Sequence, residues 1–354
     1  MTSIHHEHER LRKLVLSFPN VTVVVLGDLV ADEFLYGEIS RVSREAPVLI
    51  LKHRERRVLP GGGGNAVMNL AALGVNVMPV GLVGDDEPGR LLLDAFKRSK
   101  IPVIGITRVK GLATTTKTRI LAYMPHSARQ QVVRIDREPE PLRENHYAMA
   151  RLVDSAIHFE EAADGLLISD YGYGAATPKL YASIRGAYAR VPVTLDSRYR
   201  MLDYRRVTAA TPNENEVEEA LKLKVGSDRA KLAAAGRQLM EVMRMESLVI
   251  TRGSDGMVAF DGSHKPVEIP IHGSDEVADV TGAGDTVIAT FTAALAAGAD
   301  TVTAARLANL AGGIVVMKHG TATVSPSEML QAIDESFGNG KPHKAAKSKR
   351  KTRA

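Results

Sequence analysis

The chain has 354 residues, 44% of them hydrophobic, enough to bury a large core as one elaborated α/β domain or as two domains. It has no cysteine, which excludes disulfides, thiolate nucleophiles and cysteine metal sites and is compatible with a reducing cytoplasm. The net charge of +5 is a tail property: without the seven Lys and Arg of residues 341–354, 39 basic side chains face 41 acidic ones. No aromatic residues interleave with that tail, so it reads as a solvated disordered end and no nucleic-acid partner is expected.

In chain order, His5, His6 and His8 open a polar segment that reads as the exposed start of an amphipathic helix over 7–18. The β-branched run at 21–26 predicts a buried strand ending at Gly27-Asp28. Further strands are expected at 77–83, 165–169, 191–195, 207–210 and 248–251. Helices are expected at 63–73, 86–99, 143–160, 177–189 and 227–244. Alternation of this kind predicts a doubly wound, mostly parallel sheet flanked by helices. Residues 33–59 and 112–136 break it with charged, β-rich segments that read as a small β-strand lid, within one folded domain over 1–337 and ahead of a tail at 338–354. No signal-type leader and no apolar run of about 18 residues is present, so a soluble cytoplasmic protein without membrane association is expected.

Several polar residues fall at strand ends, where open α/β sheets place ligands: Asp28, Asp32, Asp170, Asp196, Asn213 and Glu216. Each alone also suits a helix or turn cap. The run Pro60-Gly61-Gly62-Gly63-Gly64-Asn65 concentrates conformational freedom just before a helix, as close backbone approach to a ligand or a hinge requires. Asn213-Glu214-Asn215-Glu216 supplies hard oxygens suited to ordering water around Mg²⁺, or caps the helix that follows. The turn Thr251-Arg252-Gly253-Ser254-Asp255-Gly256 could receive a phosphate or nucleoside edge, or simply join two strands of a hairpin. In Asp279-Val280-Thr281-Gly282-Ala283-Gly284-Asp285, the glycines let successive N–H groups face one anion at a helix start, and the carboxylate at the end can take a proton. That pairing suits phosphoryl transfer to a hydroxyl.

Together these residues, in this order, resemble the ribokinase-like (PfkB-type) carbohydrate kinases over roughly 20–330. The resemblance rests on Gly27-Asp28-Leu29-Val30-Ala31-Asp32, the glycine run with Asn65, the Asn213 to Glu216 motif and the Asp279 to Asp285 signature. Within that family the stretches 40–48, 129–136, 169–172, 305–309 and 320–325 look most like bacterial D-glycero-β-D-manno-heptose-7-phosphate kinases. The resemblance implies ATP with Mg²⁺ as cofactors and a sugar or sugar-phosphate hydroxyl as acceptor.

It also implies roles. Asp285 would be the base, and the N–H groups of Gly282, Ala283 and Gly284 the anion hole. Asn213 and Glu216 would serve the Mg²⁺-nucleotide through water, with Thr251, Gly253, Gly256, Thr281 and Asn309 on the nucleotide side. Asp32, Gly62, Asn65 and Asp170 would hold the sugar, and Lys117, Arg119 and Arg134 its phosphate. Tyr173 and Asp196-Ser197-Arg198 depart from those heptose kinases, leaving other sugar kinases of the family and a catalytically silent sensing protein as alternatives. With no nucleotidyltransferase segment after the kinase region, a single activity is expected, as is a homodimer through lid strands.

Overall fold

The computed structural model describes residues 2–124, 129–139, 146–262, 265–273, 278–318 and 320–338; the tail expected to be disordered lies, from residue 339, outside the described residues. Helix α1 (Thr2–Ser17) leads into β1 (Thr22–Gly27), a run of Val and Leu whose alternate side chains enter two different cores. The strands β2 (Leu29–Val42) and β3 (Leu49–Gly62) have 14 residues each, about 45 Å at roughly 3.3 Å per residue, and so project beyond the sheet they leave. Helix α2 (Gly63–Ala72), β4 (Asn76–Gly84), α3 (Glu87–Arg98) and the short β5 (Ile106–Val109) follow. Next come β6 (Thr116–Tyr123) and β7 (Gln130–Arg137).

The second half alternates more regularly. It runs α4 (His146–Glu160), β8 (Gly165–Asp170), α5 (Pro178–Ile184), β9 (Val193–Ser197), β10 (Ala209–Ala210), α6 (Glu214–Leu221), α7 (Arg229–Met243) and β11 (Ser247–Thr251). The hairpin strands β12 (Met257–Phe260) and β13 (Val267–Ile269) precede three helices, α8 (Ala283–Ala296), α9 (Thr301–Val316) and α10 (Pro326–Gly338).

Nine strands form one sheet in the order β13-β12-β11-β10-β9-β8-β1-β4-β5, parallel from β11 through β5 and antiparallel only at the β11-β12-β13 edge. Val23 and Val25 of β1 pack with α2, α8, α9 and α10, while Val24 and Leu26 pack with α4, α5 and α7 on the opposite face. Both faces are therefore covered, as a parallel sheet requires. The chain winds from β1 outward through β4 and β5, then returns to the other side of β1 through β8. The strand order thus reverses beside β1, the position at which such sheets open a crevice.

A separate four-stranded sheet, β3-β2-β6-β7, gathers the two segments that broke the alternation. In register, Asp32 stands opposite Lys117 and Phe34 opposite Arg119, while Arg119 stands opposite Arg134 and Lys117 opposite Asp136. Period-two alternation puts all six side chains on one face.

Sequence expectation missed the short strands β5, β12 and β13, the helix α9, which is rich in small residues with weak amphipathic contrast, and α10. The segment 251–256 is indeed a hairpin connection, with Arg252 N–H donating to the Gly256 carbonyl at 2.8 Å.

One contact fixes where α2 begins. A Cβ built on Gly63 would lie 2.9 Å from the Gly27 Cα, so the first turn of α2 rests directly on the backbone at the end of β1. Gly63→Ala is expected to destabilise the protein by ~1–3 kcal/mol in urea unfolding, because backbone faces backbone and nothing flexible can yield. An unchanged or raised unfolding midpoint would show that the two segments can separate without cost.

Candidate active site

The carboxyl ends of β1, β8 and β9, the start of β2 and the amino ends of α2 and α8 converge beside the strand-order reversal. Gly282, the N-cap of α8, has φ +79°, and a Cβ there would come within 2.5 Å of the Asn65 amide nitrogen. Glycine is thus required twice at one position, by conformation and by the closeness of α2.

Asp285 stands in the first turn of α8 and is 6% exposed. Its Oδ2 accepts from Asn65 Nδ2 and its Oδ1 from the Tyr171 hydroxyl, both at 2.8 Å. Asn65 is held in turn: Asn69 Nδ2 donates to Asn65 Oδ1 at 3.2 Å, and Thr286 Oγ1 donates to Asn69 Oδ1 at 2.9 Å. This chain of donors points toward the carboxylate. Burial pushes the Asp285 carboxyl up to about 6; the Asn65 and Tyr171 donors and Lys117 pull downward, and Asp32 adds to the rise.

The expected anion hole needs one correction. A turn before α8 makes the Ala283 N–H donate to the Val280 carbonyl at 3.2 Å, so it does not face the crevice as a free donor. The N–H groups of Gly284 and Asp285 begin the helix without an intrahelical partner. Gly284 is exposed and has open space where a Cβ would stand, which is room for an anion at the positive end of α8. Thr281 bends into the turn, its N–H on the Asp279 carboxylate at 2.9 Å.

On the side toward the four-stranded sheet, Asp32 packs against Gly61, whose Cβ would lie 2.2 Å from the carboxylate. Gly62, at φ +55°, lets β3 turn into α2 over Tyr171. Asp32 accepts from Arg119 Nη1 at 2.7 Å, and Arg134 grips Asp136 bidentately through Nε and Nη2 at 2.7 and 2.6 Å. Of the three cations expected to meet a phosphate, two are therefore engaged by carboxylates, Arg119 as the buttress of Asp32. Lys117 differs. It is 8% exposed, has no carboxylate within ion-pair reach among the described residues, and lies over the rings of Tyr171 and Tyr173 at 5.4 and 5.5 Å. Burial lowers its ammonium below the ordinary lysine value.

Asp170, expected among the sugar ligands, is also corrected. Its oxygens accept from Arg200, Ser197, Tyr204 and the Gly172 N–H, so its capacity is spent on bracing the end of β8. Asp28 does similar work: buried, it receives the N–H groups of Tyr171, Tyr173, Ala175 and Ala176 at 2.9, 2.9, 2.8 and 3.3 Å. Burial raises its carboxyl to about 6 against those donors.

Beyond Asp285, a cavity of about 290 Å³ is lined by Tyr171, Asp196, Arg198, Asn213, Glu216, Thr251 and Gly284 among others. Asn213 and Glu216 form a reciprocal capping box on α6, each accepting from the other's backbone N–H at 2.9 Å. One Glu216 oxygen and the Asn213 amide hydrogens stay outside that exchange. Asp196, noted only as a strand-end acid, joins Glu216 here; burial and then Asp285 and Glu216 raise it well above the usual carboxylate range. Gly253 has open space where a Cβ would stand, as a nucleotide surface needs. Gly256 and Asn309 do not belong with it. A Cβ on Gly256 would meet the Ile269 carbonyl at 2.2 Å, and Asn309 donates to the Pro270 carbonyl at 2.8 Å, so both secure the hairpin and the segment after it.

Tyr171 and Arg198 were given no role by sequence reasoning. Their signal was position, since each follows a strand that ends at the crevice, and for Tyr171 its place in the stretch 169–172.

Residues 22–328 match the pfkB family carbohydrate kinases. The bifunctional protein HldE of Geobacter sulfurreducens is 39% identical over 342 residues, 94% of this chain and 67% of that protein. The HldE of Trichlorobacter lovleyi is 40% identical over 314 residues, 88% of this chain and 62% of that protein, so the chain spans about two thirds of the length of these relatives. In fold, phosphofructokinase-2 from Escherichia coli in complex with substrates and products superposes with a TM-score of 0.71 at 18% identity, over 89% of this chain and 98% of that one. Arabidopsis thaliana ribokinase complexed with ribose and ATP gives 0.66 at 18% identity, over 88% and 98%. The ribokinase-like fold and the match across most of its length establish that the chain belongs to the pfkB family of carbohydrate kinases, ATP-using phosphotransferases with a hydroxyl acceptor.

Proposed function

We propose that the protein phosphorylates the anomeric hydroxyl of D-glycero-β-D-manno-heptose 7-phosphate, giving the 1,7-bisphosphate used in making nucleotide-activated heptose. The observation that carries the phosphorylated acceptor is Lys117, a desolvated ammonium beside Asp32 and Asp285 with no carboxylate in ion-pair contact among the described residues. A cation in that state gains most from an incoming phosphate. The stretches 40–48, 129–136 and 169–172, which resemble heptose 7-phosphate kinases, support the heptose.

In this reading Asp32 and Asn65 hold adjacent sugar hydroxyls, and Asp285 takes the proton of the anomeric one as its oxygen bonds to the terminal phosphorus and the bond to the leaving ADP breaks. The Gly284 and Asp285 N–H groups receive the charge that develops on the transferred group. When bound, Mg²⁺-ATP supplies the phosphoryl group, and the open edge of Gly284, Gly253 and the acids Asp196 and Glu216 fit it. The four-stranded sheet acts as a lid. Its edge strand β7 is exposed along its whole length, with Val132, Val133 and Ile135 outward, and suits pairing with a second copy of the chain. The described residues contain no helix long and apolar enough to cross a membrane, in keeping with action in the cytoplasm.

ATP consumption over a panel of free and phosphorylated sugars, with the product anomer read by NMR, tests the substrate. Turnover confined to heptose 7-phosphate is expected, and activity only on unphosphorylated sugars refutes it.

Asp285→Asn is expected to lower kcat by more than about 10²-fold with nucleotide binding largely retained. Normal turnover would remove Asp285 as the base. The same variant carries a stability signature. Because the folded carboxyl is raised to about 6, its protonated form favours the fold, and wild-type stability is lost as pH rises through that value. Asp285→Asn should therefore raise unfolding free energy by about 1 kcal/mol more at pH 8 than at pH 5. An equal effect at both pH values would mean that the carboxylate bears no burial penalty.

A further inference from the structure

The hydroxyl of Tyr171 reaches Asp285 Oδ1 at 2.8 Å while Asn65 holds Oδ2 at 2.8 Å, so each oxygen of the carboxylate is fixed by its own donor. Tyr171 is itself fixed. Its N–H is held by Asp28 Oδ2 at 2.9 Å, in the loop that Asp28 clamps through four backbone groups, and the Lys117 ammonium covers its ring at 5.4 Å. We propose that Tyr171 is the positioning residue of the phosphoryl transfer, its hydroxyl fixing the plane in which Asp285 receives the acceptor's proton. The inference rests on reading Asp285 as the base and is independent of which sugar is the acceptor.

The chemistry favours this over a purely structural bond. Each Asp285 oxygen accepts one protein donor and keeps a second lone pair, so the grip orients the base without occupying it. A carboxylate in the first turn of a helix could otherwise rotate toward the free N–H groups of that turn, away from an acceptor. Around Asp285 the charged and titratable groups are Asp32 on β2, Lys117 on β6, Tyr171 after β8 and Asp196 on β9. Asp32 pushes a proton onto it, and Lys117, Asn65 and Tyr171 push it off, while Asp285 itself raises Asp196. Burial and the adjacent carboxylates hold the Tyr171 hydroxyl far above the ordinary tyrosine value, so it remains a donor throughout the neutral range.

Removing the hydroxyl removes a donor to the charged form, so Asp285 should become harder to ionise. Loss of one hydrogen bond to a charged group corresponds to about one pH unit. Tyr171→Phe is therefore expected to move the acid limb of kcat/KM upward by about one unit, with kcat on the plateau about tenfold lower and ATP affinity unchanged. The kinetics use whichever acceptor gives turnover. Because chemistry need not limit the rate, the Asp285 carboxyl ¹³C signal, assigned by its loss in Asp285→Asn, is titrated in both proteins and should shift in the same direction. A folded Tyr171→Phe whose acid limb and carboxyl titration both coincide with wild type overturns the inference. Should Asp285→Asn keep its turnover, the reading of Asp285 as base fails instead, and the carboxyl titration still reports whether Tyr171 tunes it.

Discussion

A carboxylate kept out of water resists ionisation, and the crevice of this protein is organised around that difficulty at Asp285. Two neutral donors, Asn65 from α2 and Tyr171 from the end of β8, approach it from elements on opposite sides of β1. Both must come close. The approach of α2 depends on Gly63 lying against Gly27, and that of Tyr171 on Asp28 gathering the 171–176 backbone. Neutral donors are the better choice for this purpose, since a cation in direct contact would hold the carboxylate ionised so firmly that it could no longer take a proton. The resulting compromise, a carboxyl near 6, leaves Asp285 mostly ionised at neutral pH yet still basic enough to receive one.

Charge on the four-stranded sheet follows a related logic. Arg119 with Asp32 and Arg134 with Asp136 neutralise each other, which keeps the face charged in detail but nearly balanced in sum. Lys117 instead lies over two tyrosine rings, with no ion pair among the described residues. Aromatic faces stabilise an ammonium less than a carboxylate does, so the site stays receptive to an anion. An anion seated there would also return the lysine toward its ordinary basicity, coupling acceptor binding to the field felt by Asp285.

The sequence displayed much of this and concealed specific parts. Apolar runs marked β1, β4, β8 and β11, because strands covered on both faces need apolar residues at nearly every position. The glycine turn before Asp285 was legible because only glycine tolerates both the positive φ and the crowding by Asn65 at position 282. Partner choice was not legible. Lys117, Arg119 and Arg134 share a face by alternation, and nothing in their spacing reveals that two are spent on Asp32 and Asp136 while the third lies over tyrosine rings. Asp170 and Tyr171 show the same limit: adjacent residues at a strand end, one turned into the framework and the other into the crevice.

In the Asn213 to Glu216 motif, capping a helix leaves both side chains at the wall of a cavity. The capping box uses one oxygen of each side chain and fixes both rotamers, while Glu216 still lines the cavity with Asp196 and Gly284. Two acids beside the positive end of α8 would repel a bare polyphosphate and each other. Burial is the main cause that raises both carboxyls above the ordinary range, with Asp285 and Glu216 adding to it at Asp196, and a divalent cation carried with the nucleotide would offset their charge. The capping box accounts for Glu216, and in the proposed reading the Mg²⁺ carried with the nucleotide would account for Asp196 beside it.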